Sequence, residues 1–338
     1  MPRLTNRLLG FKAARIAMEK TIGISARRSL PHYASERFDK WFGRHCRASV
    51  SAPKAFGVHR MEPAGAERHG RVGQETERAG ASESNALQKN RGKVILWDDT
   101  FVRYHEPHIG VAAVKVLKAL GFEVALLKNR RCCGRPAFSQ GNLDAAAKLA
   151  KHNLDLLSSI QHSLGRRSLG EGGNTSILFL EPSCWSMFVE DYRELKIENA
   201  EKIAAHCFLF EKFVADLLAQ EPEAGRFNER SANVVIHPHC HAKSLLNPAF
   251  MATLAERLPG RKATVLDTAC CGMAGAFGAL AEKYDLSLQV AQRLLDQIEN
   301  QPPGTEVIAS GTSCRHQITD LTNLRPRHTA ELLAEALL

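Results

Sequence analysis

The sequence predicts an α/β fold: two tandem copies of a parallel-sheet, cysteine-rich unit, preceded by short helices and a disordered linker. Three observations carry this. From residue 93 onward, short apolar runs alternate with longer runs at helical spacing. The alternation passes through the same order twice, which marks an internal duplication. The triplet Cys-Cys-Gly also occurs twice, as Cys132-Cys133-Gly134 and Cys270-Cys271-Gly272, each time between a strand-like and a helix-like run.

Residues 1–45 carry apolar side chains at helical spacing (Leu4, Leu8, Leu9, Ala13, Ile16, Met18, Ile22) and an aromatic cluster at Phe38, Trp41 and Phe42. They predict two short helices in a basic docking segment. Residues 46–92 are rich in Ser, Ala, Gly, Glu and Arg, with almost no large apolar side chains. Such a stretch buries too little surface to offset its ordering entropy, so a disordered linker is expected, with Cys46 incidental at its start. The first copy, 93–218, predicts strands at 93–97, 122–127 and 177–180, with helices at 109–120 and 143–160. The second, 219–338, predicts strands at 233–237, 263–266 and 306–309, with helices at 242–258 and 280–298.

The landmarks of the copies align. Val94-Ile95-Leu96 matches Val234-Val235-Ile236, which sets Thr100 opposite Cys240. The third strands lead into Glu181-Pro182-Ser183-Cys184 and Gly311-Thr312-Ser313-Cys314. A small tandem repeat of turn composition between 161 and 176 reads as a surface-loop insertion. It accounts for the 51 residues from Cys133 to Cys184 against 43 from Cys271 to Cys314.

Composition narrows the function classes. The 338 residues, 44% hydrophobic, suffice for one large or two ordinary domains. Nine cysteines are too sparse for a disulfide-stapled secreted scaffold. No apolar stretch reaches about 18 residues, so no membrane span is expected, and no secretory signal is evident. A reducing, cytoplasmic setting makes clustered cysteines metal ligands or redox groups. Residues 1–92 hold 18 Lys/Arg against 8 Asp/Glu, and the remainder 27 against 28. The basic quarter therefore reads as a docking face for an acidic partner or the inner membrane face, as a solvated flank of an assembly, or as a transit peptide. No aromatic residues interleave with the basic ones, which argues against nucleic acid.

In each copy the cysteines follow the three predicted strands, whose carboxyl ends converge on one edge of a parallel sheet. The second copy supplies Cys240, Cys270, Cys271 and Cys314, the usual number of thiolates for an iron–sulfur cluster or a structural zinc. The first supplies Cys132, Cys133 and Cys184, with Thr100 in place of the fourth. Asp98, Asp99 and a residue of the other copy are all candidates for that vacancy. Cys207 reads as a buried small hydrophobe. His237, His239 and His241 alternate along a strand end. Each is a candidate to ligate a metal, to bond a cluster sulfur or to take up protons. Gly272, Gly275 and Gly278 would let backbone N–H groups approach a negative cluster. Arg315 and His316 read as a positive pair beside the site or as an ordinary surface pair.

At these residues the chain resembles the Cys-Cys-Gly, or cysteine-rich, domain family, which includes the Cys-Cys-Gly subunit of heterodisulfide reductase. The nearest likeness is to the C-terminal iron–sulfur part of FAD-linked D-2-hydroxyacid dehydrogenases of the lactate, glycolate and 2-hydroxyglutarate types. The runs that carry it are Cys132 to Pro136, Leu180 to Cys184, His239-Cys240-His241, Cys270 to Gly278 and Gly311 to Gln317. The resemblance implies an electron-transfer subunit or C-terminal fragment passing electrons from a flavin partner to a quinone or other acceptor. Family members with an unusual five-thiolate cluster end each copy in Cys-x-x-Cys. Met187 and Gln317 stand at those second cysteines here, which favours an ordinary [4Fe–4S] cluster or zinc. The family's companion ferredoxin-type module and its flavin domain are expected on partners, FAD included. The alternatives are a zinc-stabilised interaction module and a thiol–disulfide redox protein.

Overall fold

A computed structural model describes residues 2–46, 49–50, 90–164 and 175–338. Eight strands form two all-parallel sheets. The first contains β1 (Ser49–Val50), β2 (Lys93–Trp97), β3 (Glu123–Leu127), β4 (Ile177–Phe179) and β5 (Cys207–Leu209), in the order β1-β3-β2-β4-β5. The second contains β6 (Ala232–Ile236), β7 (Arg261–Val265) and β8 (Glu306–Ile308), in the order β7-β6-β8. Its order is that of β3-β2-β4, so the duplication is topological as well as sequential. The first sheet adds a strand at each edge.

β2 and β4 are continuous apolar runs because helices cover both faces of the sheet, as parallel sheets require. The registers match too: Ile95 pairs with Ile177, and Val235 with Val307. Seven residues beyond those partners lie Cys184 and Cys314, each the third residue of the helix that follows. Cys240 and Thr100 likewise each begin the helix after the central strand, Cys240–Leu245 and Thr100–Tyr104.

Several expectations are corrected. The basic segment holds three helices, Pro2–Gly10, Lys12–Ile22 and Phe38–His45. The single helix expected over 242–258 is two, Cys240–Leu245 and Ala249–Glu256. Pro248 lies between them, and its missing N–H and fixed φ break the run. The helix expected from 280 begins later, as Tyr284–Glu299, after short 3₁₀ turns. Within the expected linker, Ser49–Val50 pairs with Leu126 and Leu127; residues 51–89 lie outside the described residues. Helix Leu143–Leu164 takes up the start of the expected loop insertion, and 165–174 are also outside them. Cys46 and Cys207 are buried in the core, as small hydrophobes.

One hydrophobic cluster runs from Phe38 through both sheets to the last helix, Thr329–Ala336, which packs on Pro107–Ala119 of the first copy. A second, smaller cluster encloses Cys271 and Cys314 with Val235, Leu266, Ile298 and Ile318. The stretch after Lys12–Ile22 lies along the second copy. Ser25 donates to the Ala279 carbonyl at 2.8 Å, and Arg28 Nε to that of Gly278 at 2.7 Å. Among the described residues no helix is long and apolar enough to cross a membrane.

Candidate metal centre

In the second copy the four cysteines predicted from the sequence meet. Cys271 Sγ and Cys314 Sγ lie within 4.8 Å of each other, and the thiols of Cys240 and Cys270 act electrostatically on this pair and on one another. Bonds from Cys240 and then Cys271 hold the Cys270 thiol far below its ordinary range. The bond from Cys271 does the same for Cys314, against full burial. Cys240 and Cys271, the donors, are pushed up by those bonds and by burial. A metal taking these cysteines as ligands binds their deprotonated form, so its uptake releases protons. The Gly272 N–H lies 3.3 Å from Cys270 Sγ, the backbone approach expected of a small residue there. This donor set fits an iron–sulfur cluster or a zinc ion.

Gly272 sits at φ +86, in the left-handed region, and a Cβ there would overlap the Ser287 carbonyl. Gly272→Ala is expected to cost about 2–3 kcal/mol from left-handed strain plus the clash, read as a lowered urea midpoint.

The three histidines divide. His239 caps Cys240–Leu245: its Nδ1 accepts from the His241 N–H at 3.2 Å and lies 3.9 Å from Cys240 Sγ. Its Nε2 therefore carries the ring proton and faces Glu181 Oε1 at 3.8 Å. Burial, with Arg135 and His239 nearby, lowers His241 to about 4, so it is neutral at pH 7. His237, which the sequence pattern does not single out among the three, has its ring against Cys271 and Cys314.

The first site is smaller. Cys133 and Cys184 share a hydrogen bond with sulfurs 3.1 Å apart, and Cys132 bonds Cys133. The bond to Cys133 and then burial push Cys132 up. Tyr192 donates from its hydroxyl to the Cys133 carbonyl at 2.6 Å, a support that no sequence pattern announced. Thr100 is exposed. Of the candidates for the vacancy, Asp98 is engaged by Arg103 at 2.6 Å and Arg130 at 3.1 Å. Asp99 caps Thr100–Tyr104 through Oδ1, while its Oδ2 is buried with no hydrogen-bond partner. Burial and then Glu181 raise Asp99 to about 7.

The two sites face each other across one carboxylate. Glu181 Oε1 accepts from the Ser183 N–H and hydroxyl, and Oε2 accepts from the Thr312 N–H at 2.8 Å. It thereby binds the N-termini of both cysteine-bearing helices, Pro182–Ser186 and Thr312–Leu321, where partial positive charge favours an anion. Although burial opposes it, His239, the Thr312 amide and Arg315 hold Glu181 below the usual carboxylate range. Arg315 corrects the expectation of a positive pair. It is buried and pairs with Glu106 at 2.6 Å while donating to the Ala309 and Ser310 carbonyls. His316 is lowered by burial and adds no charge at neutral pH.

Comparison with known proteins agrees with this organisation. The model of the cysteine-rich domain matches residues 100–164 and 234–319. The chain is similar to a subunit of the anaerobic glycerol-3-phosphate dehydrogenase of Escherichia coli K12, 26% identical over 99% of this chain and 72% of that protein. D-2-hydroxyglutarate dehydrogenase of the same organism is 27% identical over 74% of this chain, which spans 23% of that longer protein. Lactate utilization protein A of an Exiguobacterium is 28% identical, covering 68% and 91%.

Proposed function

We propose, for a chain that belongs to the cysteine-rich domain family and carries its domain in two segments, that it is an iron–sulfur electron-transfer component of a flavin-linked dehydrogenase. Its donor would be a FAD subunit oxidising a 2-hydroxyacid, joined through a ferredoxin-type module. Its acceptor would be a quinone or another carrier, and its setting the cytoplasm or the inner membrane face. The observation that carries this reading is the grouping of Cys271 with Cys314 within 4.8 Å, with the Cys240 and Cys270 thiols close enough to act on them. Its support is the likeness to dehydrogenases and a dehydrogenase subunit.

Cys240, Cys270, Cys271 and Cys314 would hold the principal cluster, [4Fe–4S] in type, which supplies one-electron relay. Around it the chain provides the Gly272 amide toward Cys270, a polar wall of His239 and Glu181, and an apolar floor from Val235 to Ile318. Cys132, Cys133 and Cys184 would form a second site, completed by the free Asp99 oxygen. Zinc is the second reading. It is favoured by the donor atoms of His237, Cys271 and Cys314 lying within 4.8 Å of one another, close to the spacing around a single ion. A thiol–disulfide activity at the first site is disfavoured, because Cys133 is buried and its thiol pushed well above the reactive range.

Chain loaded with iron and sulfide, reduced with dithionite and desalted, tests the direction of electron flow. It is expected to reduce a soluble quinone analogue and to leave an organic disulfide intact. Disulfide reduction without quinone reduction would overturn the reading.

A further inference from the structure

We infer that His237 is a nitrogen donor of the second site, which is then built from four thiols and one imidazole. The inference rests on the reading that this site holds a metal. His237 directly follows β6, its N–H bonded to the Ile308 carbonyl at 2.9 Å, and the ring is 1% exposed. Nδ1 lies 2.8 Å from Thr268 Oγ1. Nε2 is buried with no hydrogen-bond partner, and a ring nitrogen of His237 lies with Cys271 Sγ and Cys314 Sγ in one group of donors within 4.8 Å.

A buried ring nitrogen without a partner is costly, so natural proteins seldom leave one. When Thr268 Oγ1 accepts from Nδ1–H, the Nε2 lone pair is left free for a metal. An imidazole held from behind by an oxygen and open in front to sulfur donors is how histidine is prepared for a metal. Thr268 is itself held in place: its N–H bonds the Leu266 carbonyl, and Lys243 Nζ binds the Thr268 and Ala269 carbonyls.

The duplication supplies an internal comparison. The counterpart of His237 is Trp97, which stacks on Phe179 with centroids 5.6 Å apart and offers no lone pair. The copy with four thiols has the imidazole, and the copy with three has a carbon wall. His241 also keeps a buried Nδ1 without a partner, but its group contains one thiol, Cys240, and the already engaged His239. His237 is the imidazole that sits with two thiols.

The test uses the full chain carrying ¹⁵N-histidine, loaded anaerobically with iron and sulfide, and in parallel with cobalt(II) alone. Electron spin-echo modulation of the paramagnetic form is expected to show an imidazole nitrogen whose pattern changes on labelling. His237→Phe is expected to abolish it, while His239→Gln and His241→Gln keep it. Thr268→Val leaves the imidazole in place but untethered, and is expected to weaken cobalt binding about 10-fold with a shifted coupling. It also serves if His237→Phe fails to fold. An iron- and sulfide-loaded chain insensitive to histidine labelling overturns the inference and leaves the electron-transfer reading standing. A chain that takes cobalt with a histidine nitrogen but refuses iron and sulfide does the reverse. Coupling lost in His241→Gln and kept in His237→Phe overturns the inference, and a chain that binds neither metal overturns both.

Discussion

Replacing Cys271 by serine is expected to reduce the iron bound at the second site to near zero, the largest single loss of any cysteine variant. Cys271 is buried and contacts Cys270 on one side and Cys314 on the other. A serine hydroxyl is a poor ligand where a soft thiolate is wanted, and the substitution removes the thiol that lies between Cys270 and Cys314. Cys132→Ser, in the first copy, is expected to leave that iron bound, and Cys207→Ala likewise. Iron per chain, measured after anaerobic reconstitution and desalting, checks this. Cys271→Ser retaining a full complement would remove the second set of thiols from the account.

Glu181→Ala is expected to lower stability by about 2–4 kcal/mol, the scale of leaving buried and part-buried donors without their acceptor. The carboxylate and the His239 side chain are both nearly inaccessible. Its loss orphans the Thr312 amide and the Ser183 amide and hydroxyl together. Because Thr312 and Ser183 belong to different copies, the variant also loosens the two cysteine-bearing helices from one another. Urea denaturation gives the size of the effect. A loss below about 1 kcal/mol would show that the copies are joined chiefly by the apolar core from Phe38 to Thr329–Ala336.

Much of this arrangement was legible in the chain, for definite reasons. Parallel strands that are buried on both faces leave unbroken apolar runs, so β2, β3, β4 and β6 announce themselves. The duplication then aligns the landmarks, and Thr100 does occupy the structural position of Cys240. What was not legible depends on contacts between distant segments. β5 is three residues long and passes into helix Phe210–Gln220 with no turn residue between them, so it reads as the start of the helix. The docking of Ser25 and Arg28 on Ala279 and Gly278 uses backbone carbonyls, which no sequence pattern displays. Arg315 looked like a surface cation because its partner, Glu106, lies 209 residues away. That Asp98 is engaged in ion pairs could be read only from the positions of Arg103 and Arg130. His237 was visible as one of three histidines, but only the ring geometry separates it from His239 and His241.

The central claim is that the second set of thiols holds a redox-active iron–sulfur centre. The most direct measurement is iron, acid-labile sulfide and zinc content of anaerobically isolated chain, with electron paramagnetic resonance followed through a reductive titration. The account predicts iron and sulfide in equal amounts and a signal that appears on reduction and disappears reversibly on oxidation. Zinc in place of iron, with no sulfide and no signal at any potential, would contradict it.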